Sequence, residues 1–382
     1  MLKKAYILFR CLVGNVWMRG SVNTATEPKK ILIVQRAQLG DMVCATPLYR
    51  AIKIKYPNSK VFVAGKESNR VLLANNNDID GYITVEKDNF DMAVKKIKQE
   101  GFDYGCTIIP DFLGLAALCL GHVKTIACPK ISEFSPSNTL SYRILSSFYL
   151  KIPLFSGKYF PRQYLNFLKP IGINSEDTRK HLDFTKEAAV TINNFFELNS
   201  IGADDFVVGI SPAAGNKIKE WPPKNFAQLA DYVYNNYKAR IIVIGYGKDD
   251  VEVNQMLNML DNETKVINTL NLFNLDELKA LMSKMNLFIS VDTGPIYIAE
   301  AFKVPTIDII GPIDEREQPP INEFHRVVKS PDRGAPQLSV LNAKTYDFRE
   351  ARRQTESISS EMVIGEFNDL VKILPKLKLI HS

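Results

Sequence analysis

Residues 31–56, ILIVQRAQLGDMVCATPLYRAIKIKY, decide how the chain folds. Ile31 to Gln35 form a short apolar run without polar alternation, the pattern of a strand covered on both faces in a parallel sheet. After Pro47, the residues Leu48, Ala51, Ile52 and Tyr56 recur at helical offsets, so one side of that segment can lie on the sheet. The loop between them holds Gly40 and Asp41. A carboxylate placed between such a strand and helix sits at the carboxyl end of the sheet, where open α/β folds hold their ligands. Asp41 therefore suits two roles, a catalytic carboxylate and a helix cap that accepts from the free N–H groups of a first turn. Spacing alone favours the cap.

Working outward, a chain of 382 residues is long for one core and suits two domains. Residues 61–64 and 82–85 read as further strands, 91–100 as a helix, and 106–109 as a buried strand ending at Pro110. Asp111 follows that strand at the same end of the sheet as Asp41. Residues 134–157 are rich in Ser, Pro and aromatics and read as an irregular insertion, and the charged stretch 174–186 reads as a link. The pattern then restarts, with strands at 206–210, 240–244, 265–270, 287–291 and 306–310 and an apolar-striped terminal helix at 359–374. Alternating strands and helices in both halves define an α/β class with parallel sheets.

Lysine and arginine outnumber acids 48 to 42, a net charge of +6 that is compatible with anionic ligands or an anionic membrane surface. No Lys/Arg block with interleaved aromatics points to nucleic acid. The cysteines at 11, 44, 106, 119 and 128 form no C-x-x-C pair, and the histidines at 122, 181, 325 and 381 are far apart. Neither a disulfide framework, a zinc site nor a local catalytic triad is indicated. No apolar run is long enough to span a bilayer. Residues 1–27 carry Lys3, Lys4, Arg10 and Arg19 beside Phe9, Val13, Val16 and Trp17, with no small-x-small cleavage site after them. They read as a retained leader, either an interfacial helix on anionic lipid or a helix packed on the protein's own surface.

In the second half, Asp292-Thr293-Gly294-Pro295 stands between a strand and a helix. The free N–H groups of Thr293 and Gly294 suit a phosphate, and Gly294 lets a ligand approach the backbone. Ser211 ends another strand ahead of Lys217 and Lys219, which supply cations. Both loops follow strands of one domain and so share one end of its sheet.

RAQLGDMVCATPLYRAIKIKYP resembles the opening motif of glycosyltransferase family 9, the bacterial lipopolysaccharide heptosyltransferases. SPAAGNKIKEWPPKNF is similar to that family's second-domain loop, and ISVDTGPIYIAEAFKVPTIDIIGPID to its most characteristic stretch. The resemblance runs from about Lys30 to Leu374. It implies a GT-B fold, two Rossmann-like domains with parallel sheets facing a cleft. Residues 1–27 would be the leader, 28–185 the acceptor domain, 186–350 the nucleotide-sugar domain and 351–382 a helix packing back on the first domain. It also implies inverting, metal-independent transfer of heptose from ADP-heptose to a lipopolysaccharide core, without a cofactor, in the cytoplasm and peripherally on the inner membrane. Asp41 would be the general base and Lys219 would stabilise the diphosphate. Ser211, Lys217, Asp249 or Asp250, Asp292, Thr293, Gly294 and Tyr297 would serve the donor, and Arg36, Gly40 and Asp111 the acceptor. Tyr297 stands where many members have His, and Ala213 and Ala214 replace hydroxyl or glycine residues, departures that bear on the donor sugar.

Three other readings compete. One is a relative using another nucleotide sugar in core or surface-glycan assembly, one a nucleotide-sugar epimerase on the same architecture, and one a non-enzymatic scaffold. A Rossmann oxidoreductase lacks its fingerprint, because no G-x-G-x-x-G follows residues 31–35.

Overall fold

The structure, a computed structural model, describes residues 2–15 and 27–374, without the side chains of Leu2, Lys3, Asn15 and Lys248. Strands as apolar as Leu287–Val291 are buried along their whole length, so helices must cover both faces and hairpins cannot join consecutive strands. In the first half, β1 (Lys30–Val34), β2 (Lys60–Gly65), β3 (Gly81–Thr84), β4 (Tyr104–Thr107), β5 (Thr125–Lys130) and β6 (Leu150–Pro153) form one parallel sheet. Its order is β3-β2-β1-β4-β5-β6. In the second, β7 (Val207–Ser211), β8 (Arg240–Val243), β9 (Val266–Asn268), β10 (Leu287–Val291), β11 (Thr306–Ile309) and β12 (His325–Val328) repeat the arrangement as β12-β11-β10-β7-β8-β9. Ile31 lies beside Val61 and Tyr104 in the first sheet, and Ser290 beside Ser211 and Asp308 in the second. In both, the winding reverses between the half's first strand and its fourth. The loops after β1 and β4, and those after β7 and β10, therefore diverge at a switch point, where such sheets bind ligands.

The chain divides into two compact units. The first takes the described residues through His181 and adds Arg316–Gln318 and Val340–Thr345; the second holds the remainder. The first core gathers Leu32, Val34, Ile97, Phe112 and Leu115; the second gathers Val208, Phe226, Ile289, Ile307 and Phe367.

Several elements differ from the sequence reading. The stretch 134–157 holds the Leu140–Ser146 helix and the edge strand β6. β5 and β12 were also unforeseen, because Pro129 interrupts the first and His325-Arg326 opens the second with polar residues. Part of the leader is the Leu2–Asn15 helix, which buries Ile7 and Cys11 against the Phe112–Leu120 and Leu140–Ser146 helices. Val16, Trp17 and Arg19 lie outside the described residues. The terminal helix Ser360–Val371 belongs to the second unit. It packs on the Pro223–Tyr237 helix and on β11 and β12, because its Val363, Phe367 and Leu370 complete the second core.

Phe367 is fully buried and meets Tyr237 edge-on at 5.2 Å between ring centroids. Truncating it leaves a cavity, so Phe367→Ala is expected to lower unfolding stability by about 3–5 kcal/mol in a urea titration. An unchanged midpoint would remove the terminal helix from that core.

Candidate active site

At the switch point of the first sheet, Asp41 occupies the third position of the short Leu39–Cys44 helix. One carboxylate oxygen, Oδ2, accepts from the Gln38 backbone N–H at 3.1 Å and closes a capping box. The other, Oδ1, accepts from the Gln318 side-chain amide at 3.1 Å. Asp41 thus caps its helix with one oxygen and keeps the other turned to a separate partner. Buried Tyr164 lies close by. Burial first, then the Asp41 charge, push its phenol above its ordinary value. Arg36 donates to both oxygens of Asp111, at 2.8 and 3.0 Å, and through Nε to the Val85 carbonyl. Asp111 in turn caps the Phe112–Leu120 helix. Both side chains of this ion pair are mostly shielded from solvent, so its geometry is fixed and not a surface encounter. Gly40 is buried beside Asp41. Asp41, Arg36, Gly40 and Asp111 therefore gather at the loops after β1 and β4.

In the second unit, the loop after β7 is held on both sides of Lys219. Ile218 is buried with Leu338 and Ala351, and Thr355 Oγ1 donates to its carbonyl. Trp221 is fully buried and donates its indole N–H to the Ile358 carbonyl at 2.7 Å. Lys219 Nζ then meets Asp292 Oδ2 at 2.9 Å and donates to the Asp292 carbonyl as well. The phenol of Tyr297 donates to Asp292 Oδ1. The carboxylate that ends β10 is thus tied to the lysine loop and to the helix Gly294–Ala301 that follows it. No side chain caps that helix, whose first-turn N–H groups start beside Thr293 and Gly294.

Asp308, which the sequence reading passed over, completes the cluster. It sits on β11 beside Ser290, is almost wholly buried, and its Oδ1 finds no hydrogen-bond partner. Burial first, then the Asp292 charge, raise its carboxyl well above the usual range, and Lys219 opposes the shift. The visible signal was an Asp inside the apolar run Ile307–Ile310. Gln318 and Glu317 were missed too; Glu317 is buried and accepts from the Gly157 and Val340 backbone N–H groups. Nothing local in the sequence foretold either, because their partners lie far away along the chain.

Three expected donor residues stand apart from this cluster's bonds. Lys217 pairs with Glu252 at 2.5 Å and Glu220 at 3.1 Å. Asp249 accepts from the Tyr246 backbone N–H in its own turn. Ser211 ends β7, buried beside Ser290.

The glycosyltransferase family 9 (heptosyltransferase) model matches residues 162–345. Lipopolysaccharide heptosyltransferase 3 of Escherichia coli is 25% identical over 287 residues, spanning 72% of this chain and 80% of its own length. The glycosyl transferase family 9 structure from Veillonella parvula superposes with a TM-score of 0.74 at 20% identity, covering 90% of this chain and 97% of that one. The E. coli ADP-heptose lps heptosyltransferase II structure gives 0.71 at 18% identity over 89% and 98%. A chain with two such sheets has the GT-B architecture of those structures. The similarity to glycosyltransferase family 9, the heptosyltransferases, rests on that match over residues 162–345 and on the relative at 25% identity.

Because folding raises the Asp308 carboxyl, the folded chain keeps a proton that the unfolded chain releases above about pH 4. Stability from this group is therefore present at acid pH and falls as pH rises from there. Relative to Asp308→Asn, the wild-type melting temperature is expected to decline progressively between acid and neutral pH. A difference that stays flat with pH would show that Asp308 titrates as an ordinary carboxylate.

Proposed function

We propose that the chain transfers a heptose from ADP-heptose to a sugar of the lipopolysaccharide core, with inversion at the anomeric carbon and no metal. The observation that carries this reading is the Lys219–Asp292 pair at the start of the uncapped Gly294–Ala301 helix. An ammonium has three N–H groups. Asp292 engages two of them, which leaves one for a phosphate oxygen. With the backbone N–H groups of Thr293 and Gly294 and the helix dipole, it gives a diphosphate leaving group the stabilisation that a divalent cation supplies in other transferases. The ADP moiety of the donor is proposed by analogy with the E. coli ADP-heptose lps heptosyltransferase II named above.

In this reaction Asp41 accepts the proton of an acceptor hydroxyl as the oxygen forms its bond to the anomeric carbon. The bond to the diphosphate breaks on the opposite face and ADP leaves with the electron pair. The Gln318 amide on Oδ1 and the Gln38 N–H on Oδ2 hold that carboxylate in one orientation. Arg36, fixed by Asp111, presents a cation suited to the anionic groups of a phosphorylated core.

Asp41→Asn keeps an oxygen for the helix cap but cannot take a proton. It is expected to lower kcat by about a hundredfold to ten-thousandfold with ADP affinity unchanged in calorimetry. Turnover close to wild type would remove Asp41 from the chemistry. Lys219→Met is expected to weaken ADP binding by about tenfold to a hundredfold, the worth of one charge-assisted hydrogen bond. If that variant binds ADP as the parent does, the diphosphate sits elsewhere. The donor and step are read together by mass spectrometry of lipopolysaccharide from cells with and without the protein. Release of ADP that needs no acceptor would favour an epimerase.

A further inference from the structure

The amide that serves Asp41 is itself only half engaged. Gln318 Nε2 carries two N–H groups, and one of them donates to Asp41 Oδ1 at 3.1 Å. Among the described residues the other makes no hydrogen bond. Tyr164 is fully buried in contact with that amide, and among the described residues its hydroxyl also lacks a hydrogen-bond partner. A hydroxyl left buried and unbonded is costly, and each such orphan calls for a local reason. Here an N–H without an acceptor and an oxygen without a donor lie side by side, next to the carboxylate.

The backbone fixes both groups. Tyr164 stands on the helix Phe160–Leu165, whose first residue donates its backbone N–H to the Glu317 carbonyl at 2.7 Å. The Glu317 carboxylate accepts from the Gly157 and Val340 N–H groups at 2.8 and 2.6 Å, so the residue before Gln318 is tied on three sides. The Tyr164 ring meets Phe160 edge-on at 5.7 Å between centroids. All of these residues belong to the first unit. Burial first, then the charge of Asp41, with Cys44 and Glu317 behind it, hold the phenol in its neutral form, and the Gln318 contact opposes them.

We propose that Tyr164 is a positioning residue, whose phenol oxygen accepts the second N–H of Gln318 and thereby holds that amide on Asp41. A glutamine side chain turns about three bonds, and a single hydrogen bond leaves it free to swing away; a second bond at the same nitrogen removes that freedom. The held N–H favours the charged form of the carboxylate, the form that takes a proton from an acceptor hydroxyl. The catalytic weight of this role rests on the reading of Asp41 as the base. Other titratable groups around Asp41 are already placed. Cys44 lies buried on its own helix, and Tyr49, on the Thr46–Lys55 helix, donates to the Met42 sulfur. Lys66 donates to the Gln38 side chain, and Arg36 pairs with Asp111. A Tyr164 substitution leaves all four in place, so a shifted pH profile reports the amide.

Two measurements on the full chain test this role, one of them without activity. The side-chain NH2 resonances of Gln318, assigned by their loss in Gln318→Leu, are expected to exchange with solvent about tenfold faster in Tyr164→Phe than in the wild type, the worth of one hydrogen bond. In Tyr164→Phe the acid limb of the kcat/KM profile is expected to move up by about one pH unit, because a carboxylate with a looser donor keeps its proton to higher pH. Gln318→Leu should move it at least as far, and the double variant no further than Gln318→Leu. Phenylalanine keeps the ring and its contact with Phe160, so the melting temperature should not fall. The role is overturned if NH2 exchange is unchanged in Tyr164→Phe, or if the two single shifts add in the double variant. It is overturned as well if the acid limb stays in place while Asp41→Asn abolishes turnover. Faster NH2 exchange together with turnover that survives Asp41→Asn would support the hydrogen bond and remove Asp41 as the base.

Discussion

A parallel sheet covered by helices on both faces has no flank on which to place polar chemistry, and that constraint shapes both halves of this chain. Ile31 to Val34 and Leu287 to Val291 are inaccessible along their length. Charged groups can enter only where strands end. Each sheet is wound in the same order, so each has one position where neighbouring loops diverge and leave room for a ligand. The first half fills it with Asp41 and the Arg36–Asp111 pair, and the second with Lys219, Asp292 and the start of an uncapped helix. One architectural rule thus yields a carboxylate-lined position in one unit and a lysine beside an uncapped helix start in the other.

Within the second cluster the charges are balanced against burial. Asp292 holds a lysine and a tyrosine, so its negative charge is spread over two donors. Asp308 has neither, and it remains in the low-dielectric interior by keeping its proton. A second ionised carboxylate at this place would compete with any diphosphate for the Lys219 ammonium. A neutral Asp308 leaves that cation to a single carboxylate, Asp292. The lysine loop is fastened through Ile218 and Trp221, so Lys219 is delivered by packing and not by its own flexible stem.

The strands and the loops that follow them were legible in the sequence because unbroken apolar runs and glycine-containing turns are local signals. β1, β7, β10 and β11 were all visible in this way. β5, β6 and β12 were not, since edge positions and prolines weaken the pattern that a buried strand shows. At the site, Asp41, Lys219 and Asp292 stood out through their motifs, and the cap reading of Asp41 is realised through Oδ2. Gln318 escaped because its partner is 277 residues away, a distance over which local pattern carries no information. The pairing of Lys217 with Glu252, on the Asp250–Leu257 helix, was hidden for the same reason.

The membership of Arg316–Gln318 and Val340–Thr345 in the first unit bears on modularity. Glu317 ties two backbone segments there, and Gln318 supplies the amide on Asp41, yet both are encoded beyond β11. The first unit is therefore not a contiguous piece of the gene. Recombination between relatives that exchanged only residues through His181 would import a carboxylate without its hydrogen-bond partner. Shuffling between relatives would have to move residues 316–318 and 340–345 along with the first half, or change them in concert.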